Sequence, residues 1–141
     1  MLSKNFILQE LVPPEIYHQF GEKAWQFLDP RLVSLADYVR EFFNKPMTIN
    51  NWDSGGTMTL RGFRPPATAI GGNLSQHKFG RAIDININDM SAQAVYKAII
   101  DNKADFMAHN LSTVENINAT PTWCHLDIRY TGITDLLIVN P

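Results

Sequence analysis

The chain has 141 residues, 45% of them hydrophobic and 11% aromatic, enough apolar material for one ordinary domain with a real core. Its formal net charge of -2 is spread along the sequence without a basic stripe, which argues against nucleic acid as a partner. No stretch approaches the ~20 apolar residues of a membrane span, and the first ten residues turn polar too early for a secretory leader, so the expectation is a product made in the cytoplasm. Cys124 is the one cysteine, which excludes an intramolecular disulfide framework and a multi-cysteine zinc site.

In chain order, Pro13-Pro14-Glu15 opens a helix with Ile16, Tyr17 and Phe20 on its apolar side, until Gly21 interrupts and Trp25, Phe27 and Leu28 follow. Asp29-Pro30 supplies an N-cap and a first-turn proline. Leu32, Leu35, Val39, Phe42 and Phe43 then recur at helical spacing and predict a helix over about 30–43. Met47 to Trp52 reads as a short strand, Asp53 to Gly56 as a turn, and the Gly-, Pro- and Asn-rich stretch from Leu60 to Gln76 as a loop. From Ala82 to Asn88 the residues alternate with a period of two, placing Asp84, Asn86 and Asn88 on one face and isoleucines on the other. Ser91 caps a helix to about Asn102. Leu111 to Asn118 and Thr122 to Tyr130 then predict an antiparallel hairpin around the turn-forming Asn118-Ala-Thr-Pro121.

The chemistry is concentrated in Ser75-Gln-His-Lys-Phe-Gly-Arg-Ala-Ile-Asp84 and Trp123-Cys-His-Leu-Asp127. A catalytic zinc takes three protein ligands and leaves a position for water, and His77, Asp84 and His125 fit that count. His77 and Asp84 are too far apart in sequence to share a helical turn, so a loop entering a strand must join them, with Gly80 at the bend. His125 and Asp127 share a strand face with Trp123, and Cys124 and Leu126 face the other way. A plainer reading makes His77 a loop residue, Asp84 a strand cap and His125 a hydrogen-bonded core residue. His18 and His109 lie outside both motifs and read as surface or cap residues.

Ser-x-His-x-x-Gly-x-Ala-x-Asp followed by Trp-x-His-x-Asp resembles the zinc D-alanyl-D-alanine carboxypeptidase and endopeptidase family, which includes VanY-like and VanX-like enzymes and phage endolysins and shares its fold with the hedgehog signalling domain. Arg61-Gly-Phe-Arg-Pro65 is similar to that family's Ser-Gly-Tyr-Arg-Ser segment, so the resemblance runs from about Asn50 to Gly132. It implies one Zn²⁺ held by His77, Asp84 and His125, a substrate-facing Arg64, pocket-lining Ser75 and Gln76, and peptidoglycan peptides as substrate. A guanidinium suits the Arg64 role because it grips a carboxylate or developing oxyanion with two donors, and Arg61 competes for it. Trp123 is the aromatic wall candidate for a peptide groove, alongside Trp52, Phe63, Phe79 and Tyr130.

One position departs from the family pattern. Many relatives carry the catalytic glutamate three residues before the last histidine, where this chain has Thr122. If the hairpin turns around Thr120, Glu115 lies opposite His125 and becomes the general base; Asp127, on the face of His125, competes as base or as an orienting group, and neither serving is the third possibility. The resulting expectation is an α+β fold in a single compact domain over 1–141. Its helical part, 1–46, packs on a small, mainly antiparallel, hedgehog or D-Ala-D-Ala-peptidase-like sheet, with the metal-site core at about 47–132. The expected function is a zinc metallopeptidase that reaches the cell wall by a route other than its own leader. A metal-bearing peptidoglycan-binding or virion module without turnover is the alternative.

Overall fold

The computed structural model describes residues 2–141, and among them four α-helices and a five-stranded mixed sheet form an α+β fold. The helices are α1 (Pro14–Phe20), α2 (Pro30–Phe43), α3 (Ala92–Asp101) and α4 (Lys103–Ala108). The strands are β1 (Met47–Thr48), β2 (Ala82–Ile87), β3 (Thr113–Glu115), β4 (Cys124–Asp127) and β5 (Leu137–Val139), in the order β1-β2-β4-β3-β5. Every pairing is antiparallel except β3 with β5, so the sheet is mainly antiparallel as expected. No helix among the described residues is long and apolar enough to cross a membrane.

The predicted caps form. The Asp29 side chain accepts from the Arg31 amide, Pro30 occupies the first turn of α2, and Ser91 accepts from the Ala94 amide at the start of α3. Leu32, Leu35, Ala36 and Val39 of α2 are fully buried and join Ile83, Ile85 and Ile87 of β2 in one core. Each such aliphatic side chain contributes roughly 1.5–3 kcal/mol by leaving water. The amino-terminal segment is tied to α2 by Asp37, whose carboxylate accepts from Ser3 Oγ at 2.7 Å and from the Lys4 and Asn5 amides. Because β2 alternates, the isoleucines that anchor the helices leave Asp84 and Asn86 on the opposite face.

Two expectations are corrected. The strand expected from Met47 to Trp52 is only Met47–Thr48, because the chain enters a 3-10 turn at Trp52 and the indole donates to the Val12 carbonyl at 2.9 Å. The helix expected to end near Asn102 does end there, and an unforeseen α4 follows at once and buries Phe106. The sheet continues past residue 132 through β5, which pairs with β3 in register Val114 with Ile138.

Candidate metal centre

His77, Asp84 and His125 are brought together, each buried, with one potential ligand atom apiece all within 4.8 Å of one another. The 3-10 helix Gln76–Phe79 carries His77, and Gly80 turns the chain back into β2. Gly80 adopts φ +66, and a Cβ there would stand 1.9 Å from the Phe27 carbonyl oxygen, so no other residue fits. Gly80→Ala is expected to cost about 3 kcal/mol or more of stability, from left-handed strain plus the clash, and thermal unfolding reads it. An unchanged midpoint would show that the bend tolerates a side chain. Asp84 and His125 are paired directly across β2 and β4.

The two imidazoles are set as ligands by their outer bonds. His77 Nδ1 lies 2.8 Å from the Gly62 carbonyl, which can only accept, so this nitrogen carries the proton and Nε2 turns its lone pair toward Asp84 Oδ1 at 3.3 Å. His125 Nε2 donates to Asp127 Oδ2 at 2.8 Å, and its Nδ1 faces Asp84 Oδ1 at 3.0 Å. On His77 a lone pair aimed at a carboxylate calls for a cation between them. Around an ion with tetrahedral ligands at roughly 2.0–2.1 Å, neighbouring donors stand roughly 3.3–3.4 Å apart; here the His77 separation is 3.3 Å, the His125 one is shorter at 3.0 Å, and all three atoms lie within 4.8 Å of one another. The residues therefore fit a divalent ion with two nitrogen ligands and one oxygen.

The electrostatics agree. Burial alone would raise the Asp84 pKa, but its bonds to His125 and His77 outweigh this and hold the carboxyl well below the usual carboxylate range. For His125 burial pulls downward, and the carboxylates of Asp127 and Asp84 overcome it, leaving the imidazole up at about 9. In the metal-free protein His125 is thus a cation at neutral pH. An ion taking its Nδ1 displaces that proton, so metal uptake is coupled to proton release.

Asp127 is not placed to act as a base, which corrects its candidacy. Its side chain has 0% exposure, it sits at the ring nitrogen of His125 that points away from Asp84, and Arg129 grips both oxygens at 2.9 and 2.5 Å. Burial disfavours its charge, yet the bonds from His125 and Arg129 dominate and keep the carboxyl below its ordinary pKa, with little appetite for a proton. Asp127 instead fixes the tautomer and orientation of His125. Asp127→Asn is expected to weaken metal affinity roughly 10–100-fold without unfolding the protein, as read by competition with a chromophoric chelator. Unchanged affinity would remove the orienting role.

Glu115 lies on the ligand side. The hairpin pairs Thr113 with Asp127 and Val114 with Leu126, which carries Glu115 opposite His125, and Glu115 Oε1 is 3.6 Å from His125 Nδ1. Arg64 is held by a 2.7 Å bond from Nε to the Leu60 carbonyl, with Nη2 3.4 Å from Asp84 Oδ2. Cys124 points the other way, donates to the Ala92 carbonyl, and is pushed up to about 12 by burial, which leaves no thiolate.

A cleft of about 440 Å³ opens over the centre, lined by Arg64, Ser75, Gln76, Glu115, Thr120 and Trp123 beside the three candidate ligands. Of the five aromatic candidates Trp123 alone lines it; Phe63 is buried against Phe27, Trp52 packs near Tyr17 and His18, and Phe79 and Tyr130 are exposed elsewhere. His109 stacks on Tyr38 and His18 packs beside Trp52, away from the centre as expected. Gln76 Oε1 and Thr120 Oγ1 are buried with no partner among the described residues, leaving an acceptor and a hydroxyl at the cleft wall. Thr120, Arg129 and the Gly62 carbonyl were not foreseen. Arg129 shares the face parity of His125 and Asp127, a signal that could have found it, whereas a backbone acceptor leaves no trace in residue type. No family model, curated protein or solved structure matches the chain.

Proposed function

We propose that the protein is a zinc-dependent metallopeptidase that hydrolyses peptidoglycan stem or cross-link peptides, as a D-Ala-D-Ala carboxypeptidase or an endopeptidase, on a hedgehog or D-Ala-D-Ala-peptidase-like fold. The observation that carries the reading is the donor set of His77, Asp84 and His125 at the floor of an open cleft, with a carboxylate and a guanidinium beside it. The substrate class rests on the motif resemblance. Zinc would be held by His77 Nε2, Asp84 and His125 Nδ1 and, when bound, would polarise the scissile carbonyl and lower the pKa of a water.

The remaining work falls to the chain's own groups. Glu115 Oε1, beside the His125 ligand atom, accepts the proton of the attacking water and passes it to the leaving amine nitrogen. Arg64, anchored to the Leu60 carbonyl, offers Nη hydrogens to the carbonyl oxygen as it gains charge. Trp123 gives the peptide a flat apolar wall. No covalent intermediate is needed.

A second reading, a metal-bearing wall-binding or virion module without turnover, is favoured by Thr122 at the position where many of the resembled enzymes carry glutamate. Incubation of zinc-loaded protein with purified murein separates the two. New free amino groups that disappear with chelator and return with zinc are the expected result. Unaltered murein at full zinc occupancy would leave only the binding module.

A further inference from the structure

A second cavity, of about 560 Å³, adjoins the metal cleft and shares Asp84 and Trp123 with it as walls. Its other lining residues are Met58, Arg61, Asn86 and Thr122, none of which the proposed chemistry uses. Arg61 is the unusual member. Arg61 is half-buried, makes no salt bridge among the described residues, and has as its only side-chain hydrogen bond there the Met58 thioether at 3.0 Å, a weak acceptor; its anionic neighbour in the cavity is the ligand Asp84, beyond ion-pair distance. A guanidinium partly withdrawn from water with no directly paired carboxylate is unfavourable, and an incoming carboxylate that forms the fork relieves that cost.

The position of this arginine is tied to the metal centre. The Arg61 amide donates to Oδ1 of the buried Asn50 at 2.9 Å, and the Arg61 carbonyl accepts from the Asp84 amide at 2.8 Å. Arg61 therefore cannot drift independently of the ligand Asp84. Asn86 Nδ2 is committed to the Thr122 carbonyl at 2.8 Å, which leaves its Oδ1 to accept a peptide N–H. Met58 and Trp123 supply apolar contact. An anion receptor, an N–H acceptor and an apolar wall together match one acidic amino-acid residue within a peptide. Arg64 faces the cleft over the metal centre and meets a terminal carboxylate or the developing charge, so a carboxylate reaching the second cavity is a different one.

We infer that Arg61 is the anchor of a second substrate subsite, which binds the free carboxylate of an acidic residue lying beyond the Asp84 and Trp123 wall from Arg64. This rests on the peptidase reading for the identity of the peptide, though not for the chemistry of the subsite. In a stem peptide the matching group is the α-carboxylate that a γ-linked D-glutamyl residue leaves free. The test uses two synthetic peptides, L-Ala-γ-D-Glu-L-Lys-D-Ala-D-Ala and the same peptide with the α-carboxylate of its glutamyl residue converted to carboxamide. Binding is measured by calorimetry on zinc-loaded protein carrying Glu115→Gln, and hydrolysis is followed on the parent.

The carboxylate peptide is expected to bind roughly tenfold to a hundredfold more tightly than the carboxamide. Arg61→Gln should bring both to the weaker affinity, and Arg61→Lys should retain part of the preference, with zinc content and melting temperature confirming that each variant is folded. Equal binding of the two peptides, binding of neither, or a preference that survives in a folded Arg61→Gln overturns the subsite. Hydrolysis of both peptides with equal affinity would overturn it and leave the peptidase standing. Carboxylate-selective binding lost in Arg61→Gln, without hydrolysis in the parent, would support the subsite and remove the D-Ala-D-Ala carboxypeptidase.

Discussion

His77→Ala and His125→Ala are each expected to lower zinc affinity on the order of a thousandfold, taking about a third of the roughly 10–16 kcal/mol gained by closed zinc sites. Both side chains are buried and aim one nitrogen at Asp84 Oδ1, so neither can be replaced by a neighbour or by solvent without rebuilding the centre. Elemental analysis after dialysis against limiting zinc should find close to one ion per chain in the parent and almost none in either variant. The two variants should also differ. Removing His77 frees the Gly62 carbonyl and takes a 3.3 Å contact from Asp84, whereas removing His125 takes a closer 3.0 Å contact from Asp84 and also strands Asp127 with Arg129 as its only side-chain partner, so His125→Ala should be the less stable protein when both are stripped of metal. Parent-like zinc content in both variants would show that the ion, if any, lies elsewhere.

Glu115→Gln is expected to leave the metal in place and to lower murein hydrolysis roughly 10²–10⁴-fold, the usual contribution of a positioned general base. The amide keeps the size of the side chain and loses only the capacity to take the proton. Its position on β3 places it 3.6 Å from His125 Nδ1, beside the ligand corner rather than within the donor set, so zinc content should hold. Turnover near that of the parent, with zinc bound, would exclude Glu115 as the base. Asp127 could not take its place, since its oxygens are spent on His125 and Arg129.

What was legible in the sequence was whatever local spacing could encode. The Asp29-Pro30 cap and apolar period fixed α2, and the alternation from Ala82 placed Asp84 opposite the isoleucines that anchor the helices. The register followed from the turn: a reversal around Thr120 puts Glu115 opposite His125, and the pairing of Val114 with Leu126 has that same sum. Long-range pairing was not legible. β5 joins β3 in parallel, with nothing in Leu137–Val139 to name its partner, and α4 follows α3 too closely to be separated by periodicity. The role of Asp127 was open in the sequence because parity puts it near His125 without saying which ring nitrogen it meets. Arg129 and the Gly62 carbonyl decide that, one through a side chain two residues on, the other through a backbone oxygen from a distant loop.

The most direct measurement is anomalous diffraction at the zinc absorption edge from crystals of the zinc-loaded protein. One strong peak is expected, about 2.0–2.2 Å from His77 Nε2, an Asp84 carboxylate oxygen and His125 Nδ1, with Glu115 and Arg64 facing its remaining position. A lattice of zinc-soaked protein with no peak among these three side chains, or with its peak at other residues, would contradict the metal centre and the chemistry assigned to it.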